Sequence, residues 1–177
     1  GHFTVSLSME LPSGARMRAR ARVKKGNPSD GSTTSDMAAT RAVDGFARGY
    51  AALRRGDVGT ATKIREEIGS LPTGSGLLQV PSLLGKELAA AIDRAAGRNA
   101  EAERALREVA AAAETLPMEF GPPDFVKPPY ELLGEWLLED GRAGEARVAF
   151  QRALQLMPGR LISTRGLGQA AKALAVK

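Results

Sequence analysis

The sequence contains no cysteine, which excludes disulfides and thiolate metal sites. Its single histidine, His2, stands at the start of the chain, so no histidine cluster can form. Aromatic residues are only 5% of the total against 43% hydrophobic residues, a balance that suits alanine-rich helix packing better than a β-sandwich. No run reaches the ~18 apolar residues of a membrane span, and no membrane span is expected. Phosphate loop, dinucleotide-binding glycine pattern and nucleophile elbow are all missing, and Gly74-Ser75-Gly76 is too short to stand for any of them. We therefore expect no cofactor, no metal and no catalysis. The N-terminal residues lack the basic start, apolar stretch and cleavage site of a signal peptide. Because the sequence begins at Gly1 and not Met, an earlier segment is compatible with it, and the compartment is left open with the cytoplasm slightly favoured.

What is present begins with charge. The net charge is +5. Arg16, Arg18, Arg20, Arg22, Lys24 and Lys25 stand against only Glu10 and Asp30 in residues 1–30, so the high isoelectric point describes this arm and not the rest. Residues 3–11 alternate: Phe3, Val5, Leu7, Met9 and Leu11 against Thr4, Ser6, Ser8 and Glu10. Period two predicts a strand. Pro12-Ser13-Gly14 is turn chemistry, and residues 15–25 alternate again, with the basic residues on one face. The expectation is a short hairpin-like appendage over 1–25. A lone hairpin is marginal in water, so it must lie on the helices, pair with another chain or belong to a larger β-domain. The second half, rich in Ala, Arg and Met, is also compatible with helix. Residues 26–36 are a linker by composition, with Ser35 or Asp36 placed to cap the helix that follows.

From residue 37 the period changes to that of a helix. Val43, Phe46, Ala47, Tyr50 and Leu53 share a face, and Gly56-Asp57 ends it. Ala61, Ile64 and Ile68 carry the next helix. Val80 to Ala96 forms a third, with Leu84, Leu88 and Ala91 or Ile92 inside, ended by Gly97. Asn99 is a candidate cap for the fourth, whose stripe is Ala102, Leu106, Val109 and Ala113. Residues 117–129 hold Pro117, Pro122, Pro123, Pro128 and Pro129, which predicts a stiff, extended connection anchored by Phe120 and Phe125. A segment of the chain that mimics a peptide in a groove is the alternative to simple packing.

Residues 127–158 are the most informative stretch. Leu133 and Leu137 give one apolar helix face, stopped at Gly141. Ala146, Phe150, Ala153 and Leu154 give a second, stopped by Pro158. Gly134 and Ala146 lack bulk, so the backbones can approach closely with Phe150 beside them. This stretch resembles one tetratricopeptide repeat: Tyr130 stands where the family usually has Trp, Leu133-Gly134 are its Leu-Gly pair, Leu137 replaces its Tyr, and Ala146, Phe150, Ala153 and Pro158 fall at its remaining spacings. Leu167-Gly168 follows Leu133-Gly134 by 34 residues, the period of that repeat, with Ala171 matching Leu137. Residues 160–175 are then a terminal capping helix, or the start of a truncated fourth repeat. Segment 46–57 sets Gly49 and Gly56 against Gly134 and Gly141, and looks like uncharacterised bacterial tetratricopeptide-like proteins. In those, a similar helix precedes a Gly-Pro-Pro and a Glu-Leu-Leu-Gly-Glu segment, here at 121–123 and 131–135. The resemblance covers about 37–175. It implies an all-α helical repeat array of about three helix pairs plus a terminal helix, spanning residues 37–177. The helix-ending glycines 56, 97 and 141 lie 41 and 44 residues apart, so the stack is expected to be irregular.

Glu131, Glu135 and Glu139 recur at i, i+4 and i+8. By the resemblance that face lines a concave groove, with Phe46, Tyr50, Leu84, Glu87 and Arg94 from neighbouring helices. Such a groove favours a helix or extended peptide with apolar anchors and basic residues. A solvated acidic face is the plain alternative. The family's carboxylate clamp uses Lys and Asn where this chain has Glu131 and Glu135, which argues against that ligand. Catalysis by the three carboxylates is not expected, since an exposed stripe gives no means of shifting their pKa values. The sequence thus predicts a non-catalytic scaffold for a protein or peptide. The second reading is an adaptor whose arm, Arg16, Arg18, Arg20, Arg22 and Lys24, docks on nucleic acid or an acidic surface. In that case the array serves oligomerisation. A solubilising, edge-protecting strand is favoured over nucleic-acid binding, because stacking aromatics are missing.

Overall fold

The computed structural model describes the backbone of residues 2–10, 16–24, 32–116 and 125–175, and side chains within 36–116 and 125–175 except Leu77. The chain divides into two compact units, 1–34 and 35–177. The first contains strands β1 (His2–Glu10) and β2 (Arg16–Lys24). The expected turn at 12–14 and most of the expected linker lie outside the described residues.

The second unit is all-helical. Its helices are α1 (Ser32–Arg54), α2 (Val58–Gly69), α3 (Gln79–Ala95), α4 (Asn99–Ala113), α5 (Pro129–Glu139), α6 (Ala143–Leu156) and α7 (Leu161–Ala175), with a single 3₁₀ turn at Gly76–Leu78 before α3. From α2 onward each helix packs on the next, and α5 also touches α7. Tight turns make three pairs, α1/α2, α3/α4 and α5/α6. Gly56, Gly97 and Gly141 sit at φ of +81°, +81° and +74°. In each turn the glycine N–H returns to the carbonyl three residues back, and the next N–H to the carbonyl five back. Asp57, Arg98 and Arg142 thus bond Ala52, Asp93 and Leu137 at 3.0, 2.9 and 2.8 Å. This is the left-handed helix stop that only glycine adopts without strain.

Two adjoining clusters form the core. One joins Phe46, Ile64, Ile68, Leu84, Leu88, Val109 and Phe125, and the other Leu106, Leu132, Leu133, Trp136, Leu137, Ala146 and Phe150. The Leu-Gly pair of α5 works as its spacing predicted. A β-carbon added at Gly134 would stand 2.8 Å from the Phe150 ring. A β-carbon at Gly166 of α7 would meet the same ring closer still. Here the 34-residue register fails. Gly168 faces open space and Ala171 is exposed, whereas Ser163, Gly166 and Ala170 are buried. The seat of α7 is set by which small residue meets the ring, and that is Gly166.

Two cap assignments also change. Helix α1 begins at Ser32, so Ser35 and Asp36 lie inside it; their modest helix propensity does not stop a polar first turn. Asn99 is the first residue of α4, and Arg98 holds the cap position with no side-chain bond to the helix's first turn. Asp57 does cap α2, accepting the Thr60 N–H at 2.9 Å. Among the described residues no helix is long and apolar enough to cross a membrane.

Candidate functional site

Three helices, α1, α3 and α5, carry the residues expected to line a groove, and half of them are buried. Phe46, Leu84, Glu87 and Glu131 are fully buried, Tyr50 and Glu135 are half-buried, and Glu139 is exposed. Phe46 and Tyr50 stack with ring centroids 5.8 Å apart. The Tyr50 phenol is pushed up to about 12, first by burial and then by the charge of Glu135. Glu139 and Glu87 act on it in the same direction, so α1, α3 and α5 do bring their groove residues together.

The expected open acidic stripe is corrected. Glu131 accepts from Arg160 through both oxygens, at 2.7 and 3.0 Å, and from the Ser163 hydroxyl at 2.6 Å. Lys127 Nζ stands 3.3 Å from Glu131 and bonds Glu135. Burial pushes the Glu131 carboxyl up, but Arg160 and Ser163 outweigh it and hold it below the usual carboxylate range. Glu139 pairs with Arg94 at 3.0 Å. Arg94 also reaches Asp140 at 2.9 Å and lies over the Trp136 ring, 5.0 Å from its centroid. Each carboxylate of the stripe is therefore neutralised from within the chain. The i, i+4, i+8 pattern reports a shared face, of which other elements cover the Glu131 end while Glu139 stays exposed.

One cover is a stretch in no helix. Phe125 is 5% exposed, in the same cluster as Phe46, Leu84 and Leu88. Val126 turns outward, and its carbonyl accepts from Arg160 at 2.8 Å. Lys127 turns inward, and Pro128 follows at φ −57°, ψ 135°. The backbone bends at Val126 and Lys127 before α5 begins. The sequence had marked Phe125 as an anchor, whereas Lys127, Arg160, Ser163 and Trp136 were missed. Lys127 was findable, as it precedes Glu131 and Glu135 by four and eight residues. Arg160 and Ser163 carried no local signal. Phe120 lies outside the described residues.

Glu87 is the outlier. It is fully buried, and neither carboxylate oxygen has a hydrogen-bond partner among the described residues. Burial pushes its carboxyl well above the ordinary value, opposed only by the charge of Lys127. Around it, Glu131 and Glu135 share Lys127, and Arg160 serves Glu131. Three carboxyls thus face two cations.

No family model, curated protein or solved structure matches the chain. The functional reading therefore rests on this geometry.

Elsewhere the surface is stitched by ion pairs. Glu103 and Glu145 hold Arg142 at 2.6 Å each, and Glu114 holds Arg152 at 2.5 Å. Glu114, bonded by Arg152 and by the Tyr130 hydroxyl, is held at about 2. These pairs tie α4 to α5 and α6, and Tyr130 joins them through its hydroxyl. A shallow depression of about 500 Å³ between α1 and α2 is lined by Arg41, Asp44, Arg48 and Glu67, with Arg48 and Asp44 paired at 2.9 Å. The side chains of Arg16, Arg18, Arg20, Arg22 and Lys24 lie outside the described residues.

Proposed function

We propose that this chain is a non-catalytic, tetratricopeptide-like scaffold that binds an extended protein segment along the faces of α1, α3 and α5. The observation that carries this reading is the stretch Phe125–Pro128. This stretch of the chain already lies there, with the aromatic buried beside Phe46, Leu84 and Leu88 in one cluster and the lysine between two carboxylates. The repeat assignment is supported by the three identical glycine turns and by the Gly134–Phe150 contact. Fold alone does not fix function, so the reading rests on this site.

The test is a peptide-display screen of the full chain beside its Lys127→Gln variant, counter-screened against Glu135→Lys/Glu139→Lys. Peptides enriched on either bait and lost on the counter-screen are expected. Absence of any such peptide on both baits overturns the scaffold reading.

A second reading uses the arm. Strand β2 pairs with β1 so that Arg16, Arg18, Arg20, Arg22 and Lys24 face Glu10, Ser8, Ser6, Thr4 and His2, which supports a hairpin with one polar, basic face. Such a face can neutralise phosphates without reading sequence. Titration of a labelled oligonucleotide at two salt concentrations tests it. Binding that neither depends on residues 1–30 nor weakens with salt removes it.

A further inference from the structure

We propose that the outward face of α7 is a docking surface for a helix of another protein, one that carries an aromatic residue with a carboxylate about one turn to either side. This surface is separate from the faces of α1, α3 and α5, and the inference does not depend on the scaffold reading above.

Helix α7 enters the core along one side only. Ser163, Gly166 and Ala170 are buried, while Leu161, Arg165, Gly168, Lys172 and Ala175 are exposed. Those five recur at i, i+4, i+7, i+11 and i+14, the spacing of one helix face. Leu161 is 58% exposed despite its large apolar side chain. At the centre stands Gly168, and nothing lies within 4 Å of the place its β-carbon would take. Gly168 follows Gly134 by 34 residues. In α5 the space beside Gly134 is filled by the Phe150 ring of α6, the second helix of its pair. Gly166 lies about 200° around the helix from Gly168, so the glycine that meets Phe150 and the glycine that repeats Gly134 face opposite ways. Gly168 is the same kind of seat with no ring in it.

Charge selects the occupant. From residue 146 onward the chain contains Arg147, Arg152, Arg160, Arg165, Lys172 and Lys177 and no Asp or Glu. Glu114 holds Arg152 and Glu131 holds Arg160. Arg165 and Lys172 make no ion pair among the described residues, and they stand three residues before and four after Gly168, on one flank of the seat. A carboxylate one turn to either side of a partner's aromatic meets these two cations, which fixes the register of docking. The aromatic, closed in by small residues, is the anchor. A second copy of α7 would bring the same cations together with no carboxylate to offset them. A bilayer gains little here, since a lipid-binding helix buries bulky side chains and the middle of this face is a glycine.

The probe is a fluorescein-labelled peptide with the α6 sequence, Ala143–Leu156, stapled on the side away from Phe150 and carrying Arg147→Glu and Leu154→Glu. Those changes set carboxylates three residues before and four after the ring. Anisotropy up to millimolar concentration follows its binding to the full chain, to Gly168→Leu and to Arg165→Glu/Lys172→Glu. Leucine at position 168 fills the seat without touching the fold, which an unchanged melting temperature checks. Binding is expected to weaken at least about tenfold in each variant, and equally when the peptide carries Phe150→Ala. No binding at millimolar peptide, or binding indifferent to Gly168→Leu, overturns the proposal. So does either of two reassignments of the face. Dimers of the wild type that Gly168→Leu disperses in sedimentation would make a second copy the occupant. Capture on phosphatidylserine vesicles that Gly168→Leu keeps and Arg165→Glu/Lys172→Glu loses would make it a membrane.

Discussion

Replacing Glu87 with leucine should make the protein more stable. The carboxyl is fully buried with no described partner for either oxygen, and a buried polar group left unpaired costs about 1–3 kcal/mol. Leucine has a similar volume and no polar atoms, so it fits among Leu84, Leu88 and Ala91 with little strain. A gain of about 2 kcal/mol corresponds to about 4–8 °C in Tm for a chain of this size. Acidity supplies an independent signature. The Glu87 carboxyl is raised above its ordinary value of 4.5. Below pH 4.5 it is protonated in both the folded and unfolded chain. As pH rises past that value the unfolded chain releases the proton while the fold keeps it. Wild-type stability then falls by about 1.4 kcal/mol per pH unit from this group until the raised value is passed. The Glu87→Leu variant lacks that slope, so the advantage over wild type widens with pH. Urea melts of both proteins at several pH values between 4 and 8 read it directly. A variant less stable than wild type, with a parallel pH profile, would show that Glu87 is satisfied in the fold and refute the reasoning.

Three further outcomes follow from the same geometry. Glu131→Gln or Arg160→Met should each destabilise by about 1–3 kcal/mol in urea melts, because each removes the charge-assisted bonds between them while Lys127 and Ser163 stay beside position 131, and Glu131→Leu/Arg160→Met should recover part of the loss. Glu131 has the opposite pH sign to Glu87: its folded value is lowered, so its contribution is complete above the usual carboxylate range and is lost as pH falls through the lowered value. A Glu131→Gln variant should therefore show a shallower acid limb than wild type in the same titration. Gly166→Ala should cost about 1–3 kcal/mol by driving a methyl group into the Phe150 ring, whereas Gly168→Ala, in open space, should be neutral or stabilising.

The helices were legible because two strong local signals coincide. Apolar residues recur with the helical period, and glycine stands where Gly56, Gly97 and Gly141 must take a left-handed conformation. The Gly134–Phe150 contact was legible for a related reason, since a missing side chain beside a large ring has one natural use. The site was less legible because burial is set by elements distant in sequence. Glu131 looks like Glu139 from within α5, yet Arg160 and Ser163 lie about a helix pair downstream and close over only the first. Glu87 did carry a signal, a carboxylate inside the stripe of Leu84, Leu88 and Ala91. The two glycines of α7 could not be told apart by a period, because a repeat length locates a turn of helix and not which residue of that turn meets the ring.

The Phe150 ring meets both Gly134 and Gly166, so α5, α6 and α7 share one keystone. Helices that touch only their sequence neighbours ordinarily open one at a time. Here detaching α7 strips one face of a fully buried aromatic and uncovers the Glu131 carboxylate at the same time. Amide protons of α7 should accordingly exchange through the same sub-global opening as those of α5 and α6, as one foldon and not as a loose end.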